Sequence, residues 1–188
     1  MRPAWLLATA LLGASLFGAV PALARDGDPP ASIYQLEAKL TDQAGRARGL
    51  DLYRGQPVLV TMFYASCPAT CPLIIDTLRA TERELTPAQR AGLRVLMISI
   101  DPQRDTPAAL HELAETRHID TSRWTLARAD AATVRSIAAL LDVQYRQLPS
   151  GDFNHSTVIA LLSPRGEIEA SSSTLGHADP VLLAKLAR

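Results

Sequence analysis

The sequence is short of cysteine and of aromatic residues, and it carries no excess of charge. Only 2 of its 188 residues are cysteine, 5% are aromatic, and 19 basic residues balance 19 acidic ones. Two cysteines exclude a disulfide-dense scaffold, and the zero net charge argues against a nucleic-acid binder or an acidic tail protein. The chain also lacks a phosphate-binding loop, an H-E-x-x-H motif and a G-x-S-x-G elbow. What remains is an ordinary globular composition, with 47% hydrophobic and 20% charged residues.

The first 24 residues differ from the rest of the chain. Arg2 precedes an uncharged run rich in leucine and alanine, and Ala22-Leu23-Ala24 has the small-x-small form of a signal-peptidase site. This pattern predicts a signal peptide over residues 1–24 and an exported, periplasmic domain, whose cysteines would meet oxidising conditions. The alternative is an uncleaved membrane anchor, because the uncharged stretch from Pro3 to Ala24 is long enough to span a bilayer.

The remaining chain is organised as one domain with alternating strands and helices. Residues 25–31 are polar and proline-rich, which predicts a linker, and the domain over residues 32–188 opens with a β-hairpin around a turn at 42–45. Apolar runs and helical periodicity then predict further strands and helices. The predicted strands are 57–64, 93–100, 143–148, 156–162 and 167–170, and the predicted helices are 73–85, 106–117, one capped by Asp130 and one from 179 to the end.

The order of these elements predicts the fold class. A β-α-β half is followed by a β-hairpin and a helix, which is the thioredoxin-like arrangement. We therefore expect an α/β domain with a mixed central sheet, helices on both faces and an N-terminal β-hairpin. In an α/β fold, functional side chains gather at the edge where the parallel strands end.

Both cysteines lie in the connection between a buried strand and a helix. Pro72 disfavours helical dihedrals at Cys71, so we expect Cys71 near the helix cap and Pro72 near the first helical position. The helix N-terminus should lower the thiol pKa there. Three residues separate Cys67 from Cys71, one more than in thioredoxin-type motifs, so the sulfurs could form a disulfide or bind a soft metal together. A purely structural disulfide is the weaker interpretation, because so small a loop removes little unfolded-state entropy.

A third ligand is needed to complete a metal site built on two thiolates. His155 follows a turn and opens an apolar strand that should lie beside the cysteines, although capping or packing would equally explain it. His111, His118 and His177 fall on charged or loop segments and are expected at the surface. Asp101 follows the strand next to the cysteine strand, so it could orient a ligand or supply a weak oxygen ligand.

Three segments hold the candidate site residues, namely FYASCPATCP at 63–72, SIDPQRDTP at 99–107 and NHS at 154–156. Together these segments resemble the Sco/SenC family, the copper proteins of cytochrome c oxidase assembly. These segments are similar to the family's C-x-x-x-C-P motif, its D-P-x-x-D-T-P segment and its distal histidine, and the similarity covers roughly residues 34–186. One departure is Ala69, which replaces the aspartate usually found between the cysteines. Another is the leader, which has the form of a cleavable one, whereas family members are commonly tethered to a membrane.

The resemblance implies a thioredoxin-like fold with copper, as Cu(I) or Cu(II), bound by Cys67, Cys71 and His155. It also implies delivery of that copper by thiolate exchange, either to the oxidase subunit that carries the dinuclear copper centre or to another periplasmic copper carrier. The alternative function is a thiol–disulfide oxidoreductase, whose redox-active pair Cys67 and Cys71 would keep the target's copper-ligand cysteines reduced. A metallochaperone is the preferred interpretation. A peroxidase ranks last, because neither cysteine fits the P-x-x-x-[ST]-x-x-C pattern.

Overall fold

The computed structural model describes residues 27–67 and 69–187. The predicted signal peptide over residues 1–24 lies outside these ranges, as do the first two residues of the predicted linker. The rest of the linker contains no helix or strand. Within the described ranges, no helix is both long and apolar enough to cross a membrane.

The described chain forms strands and α-helices at most of the predicted places. Four of the α-helices begin where a side-chain oxygen caps the first backbone N–H groups, and the capping residues are Thr86, Thr106, Asp130 and Asp179. The elements are β1 Leu40–Asp42, β2 Ala47–Arg48, β3 Val58–Phe63, α1 Thr70–Arg83, α2 Pro87–Gly92, β4 Arg94–Ser99, α3 Pro107–Thr116, β5 Trp124–Arg128, α4 Ala131–Leu140, β6 Tyr145–Gln147, β7 Phe153–His155, β8 Ile159–Leu162, β9 Ile168–Ser172 and α5 Pro180–Leu186.

Seven of the strands form one mixed sheet in the order β2-β1-β5-β4-β3-β8-β9. β3 pairs in parallel with β4, and β4 with β5, while β8 and β1 add antiparallel partners on the two sides. Every residue of β3 and β8 is buried. Because side chains alternate between the two faces of a strand, both faces of the sheet must be covered. The thioredoxin-like fold class, the mixed sheet and the N-terminal β-hairpin, formed by β1 and β2, are thereby confirmed.

Two elements are missing from the sequence prediction. β5 lies between β4 and the N-terminal hairpin, and α2 follows α1. The five residues of β5, WTLAR, have little periodic signal, and their strand conformation depends on pairing with β4 and β1. α2 is a single short helix with a capping box between Thr86 and Gln89 and no buried residue, so it lacks an amphipathic pattern.

The hairpin that carries His155 also differs from the prediction. One strand was expected over 156–162, but β7 ends at His155 and β8 begins later, in the main sheet. In the described chain, β6 and β7 pair only with each other, as a separate two-stranded sheet. Ser156 ends this pairing, because its N–H donates to the Gln144 carbonyl at 2.8 Å and its hydroxyl accepts from the Gln144 N–H at 2.9 Å. His155 therefore closes a strand outside the main sheet.

Helix α1 is fixed by two buried threonines. The Thr77 hydroxyl accepts a hydrogen bond from the Gly176 N–H at 2.7 Å, and the Thr81 hydroxyl accepts one from the Asp179 N–H at 3.0 Å. The Asp179 carboxylate in turn accepts from two N–H groups in the first turn of α5, at 2.9 and 3.0 Å. These contacts set the direction of the helix that presents Cys71.

We predict that Asp179→Ala destabilises the domain. Asp179 is fully buried and caps α5 while its backbone is bonded to α1, and loss of such a cap costs about 1 kcal/mol. Urea denaturation should show this decrease in the free energy of unfolding. The control is Glu115→Ala, which removes an exposed acidic side chain. A loss no larger than the control's would contradict the proposed role of the cap.

Candidate metal centre

The first cysteine lies in the connection that follows the central strand. β3 ends at Phe63 and α1 begins at Thr70, and the connection between them, residues 64–69, is called here the cysteine loop. Cys67 lies in this loop and Cys71 in the first turn of α1, and both are buried with free thiols. Cys71 lies near the start of the helix, as expected, but α1 begins earlier than the sequence predicts, at Thr70 after the cap residue Ala69. A proline in the first turn removes no intrahelical hydrogen bond, so Pro72 is compatible with this earlier start.

The structure brings His155 to the two thiols. One ligand atom each from Cys67, Cys71 and His155 lies within 4.8 Å of the other two, and the imidazole is half-buried. Among the described residues this is the one cluster of three or more histidine, cysteine or acidic side chains with metal-site spacing. Residues far apart in the chain therefore converge on one point at the carboxyl end of β3.

The imidazole of His155 is held in one orientation. Its Nδ1 lies 3.0 Å from the carbonyl oxygen of Ser156. Because a carbonyl can only accept, Nδ1 must carry the proton in the neutral ring, which leaves the lone pair of Nε2 for a metal. The ring also contacts Tyr64 edge-on, with 5.9 Å between the ring centroids. The hydrogen bond to a backbone carbonyl is of the kind that orients metal-binding histidines.

The Cys67 thiol is stabilised as a thiolate. Burial alone would raise its pKa, but the hydrogen bonds that it accepts outweigh this effect and lower the pKa below the usual value. The donors are the N–H of Cys71, at 3.4 Å from Sγ, the Cys71 thiol, and the N–H groups of Ala69 and Thr70. These backbone donors belong to the start of α1, where N–H groups have no intrahelical acceptor.

The Cys71 thiol has the opposite character, so the expectation that the helix N-terminus lowers its pKa is wrong. Burial raises its pKa, and the neighbouring Cys67 sulfur and the Asp105 carboxylate add to this rise, against a smaller lowering by a backbone contact at Tyr64. The two sulfurs are therefore unequal, because the surroundings favour the thiolate form of Cys67 and disfavour that of Cys71. A metal that binds both sulfurs must displace the proton of Cys71, so binding should release a proton.

Asp105 supports the cysteine loop, and sequence reasoning did not single it out. Its carboxylate is buried and accepts hydrogen bonds from the Ala65 N–H at 3.0 Å and from the Ser99 hydroxyl at 2.5 Å. It thereby ties the cysteine loop to the end of β4. Burial raises the pKa of Asp105. Its position could have indicated this role, because Asp105 lies in the loop after β4, at the same sheet edge as the cysteines. The sequence analysis explained this segment instead by the helix start at Thr106-Pro107.

The other candidate residues lie outside the cluster. The buried carboxylate of Asp101 pairs with Arg104 and is not among the ligand atoms that converge, so it supplies no oxygen ligand in this arrangement. His111, His118 and His177 are exposed and also lie outside the cluster, as expected for surface histidines.

The donor set fits a soft metal ion. Thiolate sulfur selects Cu(I) over hard cations, and imidazole nitrogen suits both Cu(I) and Cu(II). The set contains no carboxylate oxygen, so it lacks the ligands that magnesium and calcium require. Cys67, Cys71 and His155 are therefore the residues that would hold such an ion.

We predict that alkylation of the reduced, metal-free protein distinguishes the cysteines. At neutral pH iodoacetamide should modify Cys67 well before Cys71, because the thiolate is the nucleophile and only the pKa of Cys67 is lowered. Peptide mass spectrometry over time measures both rates. The unfolded protein is the control, in which the two rates should converge. Equal rates in the folded protein would refute the asymmetry.

Comparison with known proteins gives one family. The model of the SCO1/SenC family matches residues 28–188. The mitochondrial SCO2 homolog of Bos taurus is 31% identical over 180 residues, which cover 86% of this chain and 66% of that protein. The chain therefore spans just under two thirds of that relative's length.

Solved structures show the same fold. ScoI of Bradyrhizobium japonicum, with copper bound, has a TM-score of 0.64 at 25% identity, covering 80% of this chain and 96% of that one. ScoI of Arabidopsis thaliana, with copper bound, has a TM-score of 0.67 at 21% identity, covering 79% of this chain and 90% of that one. Since the family model spans the whole described domain, this chain belongs to the SCO1/SenC family.

Proposed function

We propose that this protein is a copper carrier that binds copper through Cys67, Cys71 and His155. The observation that supports this most strongly is the convergence of the two sulfurs and the imidazole within 4.8 Å of one another. A solved member of the family, from Bradyrhizobium japonicum, has copper bound. A soft, three-donor set holds Cu(I) while leaving the ion open to a further ligand.

Transfer would proceed by ligand exchange. The reduced sulfurs and the imidazole hold the ion until thiolates of the recipient replace them, one at a time. Binding displaces the Cys71 proton and release allows its return. Each step replaces one ligand of the ion by another, so copper keeps its oxidation state throughout. A disulfide between Cys67 and Cys71 would remove both thiolate ligands, so the redox state of the pair controls loading.

We propose as recipient the subunit of cytochrome c oxidase that carries the dinuclear copper centre, or another copper carrier in the same compartment. Membership of the SCO1/SenC family supports an oxidase-related partner. Ligand exchange requires that the recipient present its own thiolates close to an ion held at the mouth of the cysteine loop. Because the chain has no net charge, recognition would depend on local surface contacts.

The proposed location is the periplasm. The sequence of residues 1–24 supports export, and cleavage after Ala24 would release the domain, whereas an intact leader would tether it to the membrane. N-terminal sequencing of the exported protein distinguishes the two outcomes. Recovery of the chain in the cytoplasm would contradict the proposal.

We predict that the reduced protein binds one copper ion with submicromolar affinity. Cys67→Ser and Cys71→Ser should each abolish tight binding, and His155→Ala should weaken it at least about tenfold, since even second-shell partners contribute on that scale. Titration with Cu(I) and Cu(II) against a competing chelator measures the affinities. His177→Ala, which alters an exposed histidine outside the cluster, is the matched control. An unchanged affinity for His155→Ala would contradict the three-ligand site. Absence of tight copper binding by the wild type would contradict the carrier function.

A second candidate function, thiol–disulfide exchange, is favoured by the asymmetry of the two thiols. The Cys67 thiolate would attack a partner disulfide, forming a mixed disulfide and releasing one partner thiolate. Cys71 would pass its proton to the partner thiolate already released and attack the Cys67 sulfur, releasing the second partner thiolate. The partner gains two electrons, the pair becomes a disulfide, and an external dithiol must reduce it before another cycle.

We predict that Cys71→Ser traps the mixed disulfide if this second function operates. With the resolving thiol removed, a model protein disulfide should stay linked to Cys67, and non-reducing electrophoresis would detect the adduct. His155→Ala should leave the exchange rate unchanged, because the imidazole takes no part in either step. Failure of Cys71→Ser to accumulate an adduct would count against the oxidoreductase.

A further inference from the structure

His155 lies on an element that the main sheet does not hold. This element, called here the His hairpin, comprises residues 145–155, and within the described chain its strands pair only with each other. A two-stranded hairpin is marginally stable by itself in water. Its position against the cysteine loop must therefore depend on side-chain contacts.

Arg104 reaches the His hairpin from the loop between β4 and α3. Its Nη2 donates to the carbonyl oxygen of Gly151 at 2.5 Å, and its guanidinium lies over the ring of Phe153, 6.0 Å from the centroid. Gly151 has a φ of +88°, a backbone conformation that favours glycine. Arg104 thus contacts the hairpin both at its turn and on β7.

The buried carboxylate of Asp101 holds Arg104 in place. Asp101 accepts from Nε of Arg104, and its own N–H donates to the Ser99 hydroxyl at 2.9 Å. An ion pair whose arginine is 44% exposed contributes little stability by itself. Its effect is geometric, because a guanidinium is a planar fork, and fixing Nε on Asp101 directs the other nitrogens toward the hairpin.

The contacts continue from Arg104 to the imidazole. Phe153 and His155 are two residues apart on β7, so their side chains share one face of the strand. Both rings contact the buried Tyr64 of the cysteine loop, with centroid distances of 5.4 Å for Phe153 and 5.9 Å for His155. Tyr64 supports this face from inside, while Arg104 covers Phe153 from the loop after β4.

We propose that Arg104 is a positioning residue, which latches the His hairpin against the cysteine loop and so keeps His155 within reach of the two sulfurs. This inference rests on the proposed copper site and extends it beyond the three ligands. Without the latch the hairpin would spend part of its time away from the loop. The apparent association constant for copper would then be the intrinsic constant multiplied by the fraction of molecules in which His155 is in place.

The experiment compares Arg104→Gln and Arg104→Lys with the wild type. Arg135→Gln is the matched control, because it removes an exposed arginine on α4 that is distant in sequence from the latch. In the metal-free protein, hydrogen exchange of the hairpin amides should accelerate about tenfold in Arg104→Gln. The exchange rate in Arg104→Lys should lie between those of the wild type and Arg104→Gln. An ammonium keeps the charge but cannot bridge Asp101 and Gly151 as the planar guanidinium does. Exchange equal to that of the Arg135→Gln control would overturn the latch.

Copper titration provides the second measurement. Arg104→Gln should weaken binding about tenfold in the wild-type background and have no further effect in His155→Ala, because the latch acts only through the imidazole. An equal loss in both backgrounds would show a general structural role and overturn the proposal. If the wild type bound no copper, the carrier function would fail, but hydrogen exchange of the metal-free protein would still decide whether Arg104 holds the hairpin.

Discussion

The site depends on the parallel pairing of β3 with β4. The six paired positions run from Val58 opposite Arg94 to Phe63 opposite Ser99, and nearly all of these side chains are buried. Close packing on both faces holds the register, because a slip of one residue would place each side chain in a space that fits a different one. Parallel strands end at the same edge, so the loop after β3 and the loop after β4 must emerge side by side. The cysteine loop and the loop that carries Asp101, Arg104 and Asp105 are neighbours for this reason.

The loop after β4 supports the cysteine loop from one side and the His hairpin from the other. Asp105 binds the backbone at Ala65, before the first cysteine, and Arg104 binds the backbone at Gly151, in the turn of the hairpin. Ser99 joins the two sets of contacts, since its hydroxyl donates to Asp105 and accepts from the Asp101 N–H. One short segment therefore sets the distance between the thiols and the imidazole without supplying a ligand.

The two sulfurs differ because they occupy different positions at the start of α1. Cys67 lies before the helix and accepts from the N–H groups at its N-terminus, which favours its thiolate. Cys71 lies within the first turn, more deeply buried and close to Asp105, which favours its thiol. The difference between the two sulfurs is compatible with both proposed functions. A metal ligand and an attacking nucleophile each use a thiolate, here that of Cys67, and in both functions the sulfur of Cys71 then takes part. His155 distinguishes them, since metal binding uses the imidazole and thiol–disulfide exchange does not.

The sequence by itself determined the local features of this protein. Apolar runs indicated β3 and β4, the Thr106 and Asp130 caps indicated the starts of α3 and α4, and the spacing of Cys67 and Cys71 at a strand-to-helix connection indicated a paired-thiol site. Only the tertiary structure decided that His155 meets those thiols from a separate hairpin, that Asp105 and Arg104 hold the surrounding loops, and that β5 completes the sheet. Caps, turns and periodicity involve residues within a few positions of one another, so they leave a pattern in the sequence. Contacts such as Ala65 with Asp105 or Arg104 with Gly151 join segments that come together only when the strands pair, and no local pattern records them.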